Sequence, residues 1–295
     1  MLAIKSLTDK LPVYRQSAML MGTRFEISVI GENPVWAQQR IDVAIREINR
    51  VEKLLSAFGE GSSVNQINRN AGVEPVKVSG ELFRLIERSV QISQLTYGSF
   101  DITYAAADKK AVSYKDIVLD AQKQTVFLQQ DGMRISFAGL SKGYAADRAK
   151  YMLQMEEVSS GVINAGGDLL AWGLQTDNQP WTVATADPEQ ENQQYANLNI
   201  SNMAFATSVN TGHYIANGKK TPGAINTANG FEVSAIHTSS ILSPTAEMAN
   251  AMAAPVINIG VNNALYLINR LNQIGCVIID DNGRSFTSKG INLAS

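Results

Sequence analysis

Four short stretches carry side chains whose types and spacing could do chemistry. The first is SFAGLSKGYAADRAK, Ser136 to Lys150, where a small-residue turn holds Lys142, meets Tyr144 and runs into a helical pattern bearing Asp147. Backbone N–H groups at a helix start attract anions. Gly139 and Gly143 permit close approach, and Lys142 adds a point charge, so a phosphate fits here. A glycine turn into a surface helix accounts for the same residues, and the stretch alone does not choose between the two.

GSFDIT, Gly98 to Thr103, places an aromatic and a carboxylate directly after a glycine. Phe100 could stack on a ring and Asp101 could bond a ring or ribose edge; a helix end followed by a strand start explains the same residues. NAGGDLLAWG puts Gly166 and Gly167 before Asp168, which suits a ligand's approach or a plain turn. In ILSPTAEMANAMAAPV, Ser243 and Pro244 read as the N-cap and first residue of a helix, with Glu247 near its positive end. Asn250 and Ala254 then share one helix face, and Pro255 is expected to end or bend the helix.

The elements that must position these groups show in the periodicity. TRFEISVIG alternates apolar and polar residues as a half-buried strand does. From Trp36 to Leu55, Ile41, Ala44, Ile45, Ile48, Val51 and Leu55 recur at helical spacing, with Arg40, Asp42, Arg46, Glu47 and Lys53 between them. A second amphipathic helix spans about Glu81 to Thr96 and stops at Gly98. TVFLQQDGMRISF reads as a hairpin around Gln130-Asp131-Gly132, and GVINAGGDLLAWG as strand, glycine turn, strand. The polar stretch from Asp187 to Asn202 reads as an exposed excursion. Blocks of helices and antiparallel-looking strands without regular βαβ alternation predict one α+β unit over residues 1–295.

Composition narrows the partners. The chain has 295 residues, a net charge of −2 and 45% apolar residues, which leaves no basic field for nucleic acid or an anionic membrane surface. Its one cysteine, Cys276, sits in an apolar run, so a disulfide framework is excluded and a buried small hydrophobe is expected. No window reaches the length of a membrane span, and the start lacks the apolar core of a secretory signal; a cytoplasmic location is expected.

Taken together the stretches resemble the FAD:protein FMN transferase (ApbE-type) family. The resemblance is carried by MGTRFEISV at 21–29, LLSAFGEGSSVNQIN at 54–68, GSFDIT at 98–103, AGLSKGYAADRA at 138–149, NAGGDLLAWG at 164–173, ATSVN at 206–210 with NGKK after it, and the helix from Ser243. It implies a T-fold-like architecture of antiparallel sheets with packed helices. It also implies cleavage of FAD, with FMN passed to a Thr or Ser of an acceptor protein and AMP released. Met21 and Phe58 are then expected to flank the flavin-nucleotide site, Ser99, Phe100 and Asp101 to line it, and Ala138 and Tyr144 to contact FAD. The Ser141 carbonyl would supply one Mg²⁺ ligand.

The chain departs from that family where the metal is concerned. The family's aspartate and threonine ligands fall on Asn250 and Ala254, which leaves Ser141 and Asn250 as the metal positions. Exchanging carboxylate for amide removes roughly 8 kcal/mol of attraction to a divalent ion at about 4 Å and an effective dielectric near 20, before desolvation. The family's histidine, aspartate and proline fall on Gly223, Asn226 and Thr227, and the only histidines are His213 and His237. No catalytic base is assigned. YAAADKKAVSYKD also differs from the family's continuation after GSFDIT. Glu247, Asp147 and Asp168 are the carboxylates that could replace the lost ligand. Three functions follow: an FMN transferase, a flavin-nucleotide binder without activity, and an FAD pyrophosphate hydrolase.

Overall fold

The computed structural model describes residues 11–59, 61–103, 112–187, 190–210 and 236–291. The expected strand is β2 (Thr23–Ile30), paired in antiparallel register with β1 (Val13–Leu20) across a two-residue turn. Met21 and Gly22 form that turn with φ of 52° and 74°, the left-handed pair that a tight hairpin demands. The long helix α1 (Pro34–Leu55) begins on Asn33, whose side chain accepts the Trp36 N–H, and Pro34 opens its first turn. It buries Ala37, Ile41, Ala44, Ile48, Val51 and Leu55, one stripe at alternating spacings of four and three.

A short α2 (Ser63–Arg69) and the two-residue β3 (Val76–Lys77) lead to α3 (Gly80–Leu95). After a 3-10 turn at Tyr114–Asp116, β4 (Ile117–Asp120) and β5 (Thr125–Leu128) complete a small sheet in the order β3-β5-β4. Here the expected hairpin around Asp131 is corrected: β5 pairs backward with β4, and residues 133–137 form no strand. Their alternation reflects burial of Met133, Ile135 and Phe137, while the Ile135 backbone is satisfied by the Asn68 side chain.

Then come α4 (Ser141–Met155), β6 (Gly161–Ala165), β7 (Asp168–Trp172), β8 (Thr182–Asp187), β9 (Gln190–Asn199), β10 (Ala204–Val209), β11 (Ile236–Ser243), α5 (Ala246–Ile259), α6 (Val261–Ile268), β12 (Gly275–Asp280) and β13 (Ser285–Thr287). The main sheet is antiparallel throughout, in the order β1-β2-β6-β7-β10-β11-β12-β13. The polar stretch from Asp187 to Asn202 supplies β9, which pairs with β8 in a separate two-stranded sheet, and at its end Leu198 and Ile200 enter a small core with Phe205, Leu242 and Val277. Cys276 lies buried on β12, and burial pushes its thiol up to about 11.

The large core lies between this sheet and α1, α4 and α5. Apolar nearly all round, α5 is the most enclosed helix, with Ala249, Ala251, Met252 and Val256 fully buried. At its start one expectation fails, and at Pro255 the helix does not end. Thr245, not Ser243, is the N-cap, accepting the Met248 N–H, and the helix passes through Pro255 to Ile259. Burial of Val256, Ile257 and Ile259 beyond the proline outweighs the one hydrogen bond its ring removes. No helix among the described residues is long and apolar enough to cross a membrane.

Candidate functional site

The start of α4 and the start of α5 meet at Gly143. A side chain there would place a Cβ 2.2 Å from the Ala246 carbonyl oxygen, so only glycine lets the two helices touch. This differs from the role expected of Gly143 as room for a phosphate; Gly139 instead faces the Phe100 ring, which packs against it. Asp147, one turn into α4, accepts the Ala246 and Glu247 N–H groups at 2.9 and 2.8 Å and so holds the opening turn of α5. Burial pushes its carboxyl up to about 6, against the pull of those two donors and with Glu247 adding repulsion.

Asn250 is fixed by the same junction. Its Oδ1 accepts the Gly143 N–H at 2.8 Å, and its Nδ2 donates to Asp168 Oδ2 at 2.7 Å. Only this amide orientation satisfies both neighbours, because one offers a hydrogen and the other a carboxylate. Asp168 follows the Gly166-Gly167 turn at the head of β7; its Oδ1 accepts the Thr207 N–H at 3.2 Å, and Lys142 Nζ stands 3.8 Å from its Oδ2. Glu247 takes Arg88 in a two-pronged pair, both bonds 2.9 Å. Ala254 is exposed and offers a methyl group.

Beside this corner lies a groove of about 290 Å³ whose lining includes Met21, Ser56, Phe58, Ser136, Ala138 and Ser141. Each comes from a turn, a helix end or the irregular segment before α4. Met21 is presented by the β1–β2 turn. Phe58 is held by Ser56, whose hydroxyl accepts the Phe58 N–H and donates to its carbonyl. With 81% of its surface exposed, Phe58 is a large apolar side chain left in solvent at the groove's edge. Ser56 and Ser136, from stretches already marked in the sequence, line the groove too, and so does Glu52, which nothing in residue type singled out beforehand.

The pattern of the ApbE family matches residues 21–278. The chain belongs to the ApbE family. The FAD:protein FMN transferase of Klebsiella pneumoniae (strain 342) is 24% identical over 294 residues, covering 92% of this chain and 90% of that protein. Among solved structures, the ApbE protein of Thermotoga maritima superposes with a TM-score of 0.79 at 21% identity, covering 94% of this chain and 97% of the other. The flavin transferase ApbE of Vibrio cholerae gives 0.78 at 19%, covering 95% and 98%. These likenesses establish the α+β ApbE fold.

Within this ApbE chain, four of the expected site residues converge: Met21, Phe58, Ala138 and Ser141 line the one groove. Others stand apart from its lining. Phe100 is buried behind it against Gly139, next to Ala138. Asp101 accepts the Thr103 N–H and hydroxyl on Oδ1 and the Tyr114 N–H on Oδ2. Ser99 Oγ is buried with no hydrogen-bond partner among the described residues. Tyr144 is buried and donates to Glu81 Oε1 at 2.7 Å, and burial, then that bond, holds its hydroxyl well above the usual range.

Sequence periodicity placed Glu47 among the charges that fall between the apolar positions of α1. It is instead buried, accepting Arg50 at 2.8 and 2.9 Å and Arg148 at 3.0 Å, while Arg50 also grips Glu81. Arg50 first, and Arg148 with it, hold Glu47 below the usual carboxylate range despite burial; Arg50 and Tyr144 do the same for Glu81. That network ties α1, α3 and α4 together behind the groove. His237 lies on β11, where its carbonyl accepts the Asn210 N–H. His213, the NGKK stretch, Gly223, Asn226, Thr227 and Tyr104 to Ala111 lie outside the described residues.

Among the described residues, the corner does not fit a divalent cation. Mg²⁺ asks for near-octahedral oxygens at about 2.1 Å, usually including carboxylate. Every carboxylate oxygen of Asp147, Asp168 and Glu247 already accepts a protein hydrogen bond, Asn250 turns its Nδ2 hydrogens toward Asp168, and Ala254 has no donor. Among the described residues no group of three or more His, Cys, Asp or Glu could hold a metal.

Proposed function

We propose that this protein is an FAD:protein FMN transferase that takes a flavin dinucleotide in the groove between Met21 and Phe58. One observation carries the reading: segments far apart in sequence bring Met21, Phe58, Ala138 and Ser141 to a single groove opening beside the start of α4. The curated relatives, named FAD:protein FMN transferase over nine-tenths of the chain, point the same way.

In this reading the exposed Phe58 ring covers one face of the isoalloxazine and Met21 packs its edge. Ser99, Phe100 and Asp101 support the groove from behind, where the buried Ser99 hydroxyl has no hydrogen-bond partner among the described residues. Tyr144 acts at one remove, bracing α4 through Glu81. Lys142 and the first turn of α4 face the pyrophosphate. Transfer then makes one bond and breaks one. The acceptor hydroxyl oxygen bonds the FMN phosphorus, the bridging P–O bond breaks, and AMP leaves with that electron pair while the hydroxyl proton passes to water. Positioning and counter-charge are what the protein contributes.

A second reading, a flavin-nucleotide binder that does not transfer, is favoured by one fact: the position of the family's metal carboxylate is Asn250, bonded at both ends. Incubation with FAD and a peptide bearing an exposed Thr separates them. Transfer gives a peptide heavier by FMN less water, with equimolar AMP. Saturable FAD binding with no modified peptide supports the binder, and AMP with free FMN supports hydrolysis.

A further inference from the structure

We infer that this chain holds the phosphates of its dinucleotide with Lys142 and no divalent cation. The inference deepens the proposed function and rests on it for the identity of the ligand. At the junction of α4, α5 and β7, Asn250 spans from the Gly143 N–H to Asp168 Oδ2 at 2.8 and 2.7 Å. Its amide therefore closes the gap that a cation between that side chain and Asp168 would occupy. To admit a metal, Asn250 must turn its oxygen inward, which strips Gly143 of its acceptor and Asp168 of its donor together.

Among the described residues, the carboxylates beside Asn250 at the start of α5 are already engaged. Glu247 is held by both nitrogens of its Arg88 fork, and both Asp147 oxygens cap α5. What the corner has instead is an ammonium. Lys142 Nζ stands 3.8 Å from Asp168 Oδ2, well beyond the reach of a charge-assisted hydrogen bond, and the side chain remains 34% exposed. Asp168 thus orients the lysine without consuming its donors, and Lys142 follows directly on Ser141, which lines the groove. A lysine bound this loosely serves as a point charge for a phosphate.

The test uses the full chain in two arms. In the first, thermal melting without FAD compares EDTA with millimolar MgCl₂. The wild-type midpoint is expected not to move, whereas Asn250→Asp, which sets a second carboxylate against Asp168, gains a midpoint that rises with MgCl₂. In the second arm, flavin fluorescence follows FAD binding. Wild-type dissociation constants in EDTA and in MgCl₂ should agree within about twofold, and Lys142→Ala should weaken binding about tenfold, with Lys142→Arg recovering part of it. A wild-type midpoint that rises with MgCl₂, FAD binding lost in EDTA and restored by MgCl₂, or undiminished binding by Lys142→Ala would each overturn the inference. Absence of FAD binding in every condition overturns the proposed function, and the wild-type melting arm still decides whether the corner takes a cation. Should Asn250→Asp not fold, the wild-type melts and the Lys142 variants decide.

Discussion

The Asn250 amide nitrogen lies 2.7 Å from Asp168 Oδ2, while the oxygen of the same amide accepts the Gly143 N–H. One side chain therefore joins α5 to both α4 and β7. Truncation leaves a buried-side N–H and a carboxylate oxygen each short of a partner, so Asn250→Ala should cost about 2–4 kcal/mol, from the price of unsatisfied neutral and charged groups. Urea unfolding of the two proteins measures it. A loss below about 0.5 kcal/mol, the range of ordinary surface substitutions, would mean that the bridge is incidental.

Gly143→Ala probes the contact between the same helices. Its Cβ would meet the Ala246 carbonyl oxygen at 2.2 Å and the Glu247 N at 2.8 Å, both backbone atoms. The helices must part, and a loss of about 3 kcal/mol or more is expected, larger than the usual cost of an added methyl. A midpoint equal to wild type would show that α4 and α5 are not seated as described.

Asp147 gives the stability a distinctive pH dependence. Its folded carboxyl titrates at about 6, above the 3.8 of the exposed group, chiefly through burial. Between those values the folded protein binds more protons than the unfolded chain, so stability falls as pH rises through the window, by about 3 kcal/mol in all. Glu47 and Glu81, held low by Arg50, act in the opposite sense: they stabilise above the unfolded carboxylate pKa and lose that contribution as pH drops below it. Asp147→Asn should be less stable, because its amide cannot accept both α5 N–H groups, yet flatter between pH 4 and 6. Denaturation across that range decides; an equally steep Asp147→Asn would reassign the slope.

Phe58 can be tested apart from folding. It is 81% exposed, so Phe58→Ala should change stability by no more than about 0.5 kcal/mol. Loss of its stacking face should weaken FAD binding by about tenfold, the worth of one aromatic–ring contact. Unchanged affinity would move the flavin away from the groove edge.

Much of this arrangement was legible in the residues. The stripe from Ile41 to Leu55, the alternation in β2 and the Gly166-Gly167 turn are local patterns, and each produced its element. What was not legible depends on partners distant in the chain. Glu47 looks solvated until α4 brings Arg148 to it, a contact across about a hundred positions. Pro255 ends a helix in isolation, but the buried residues after it keep α5 going. Met133 to Phe137 alternate like a strand because one face is buried, while their hydrogen bonds go to Asn68. In the corner, the exchange at Asn250 was visible as a residue type; that both ends of its amide are taken, and that Arg88 holds Glu247, required the packed helices.

A crystal structure of the protein grown with FAD in the presence of MgCl₂ tests the account most directly. The account predicts the isoalloxazine against Phe58 and Met21, a phosphate oxygen within hydrogen-bond distance of Lys142 Nζ, and Asn250 still bonded to Gly143 and Asp168. Flavin bound elsewhere, or an octahedral cation seated on a rotated Asn250, would contradict it.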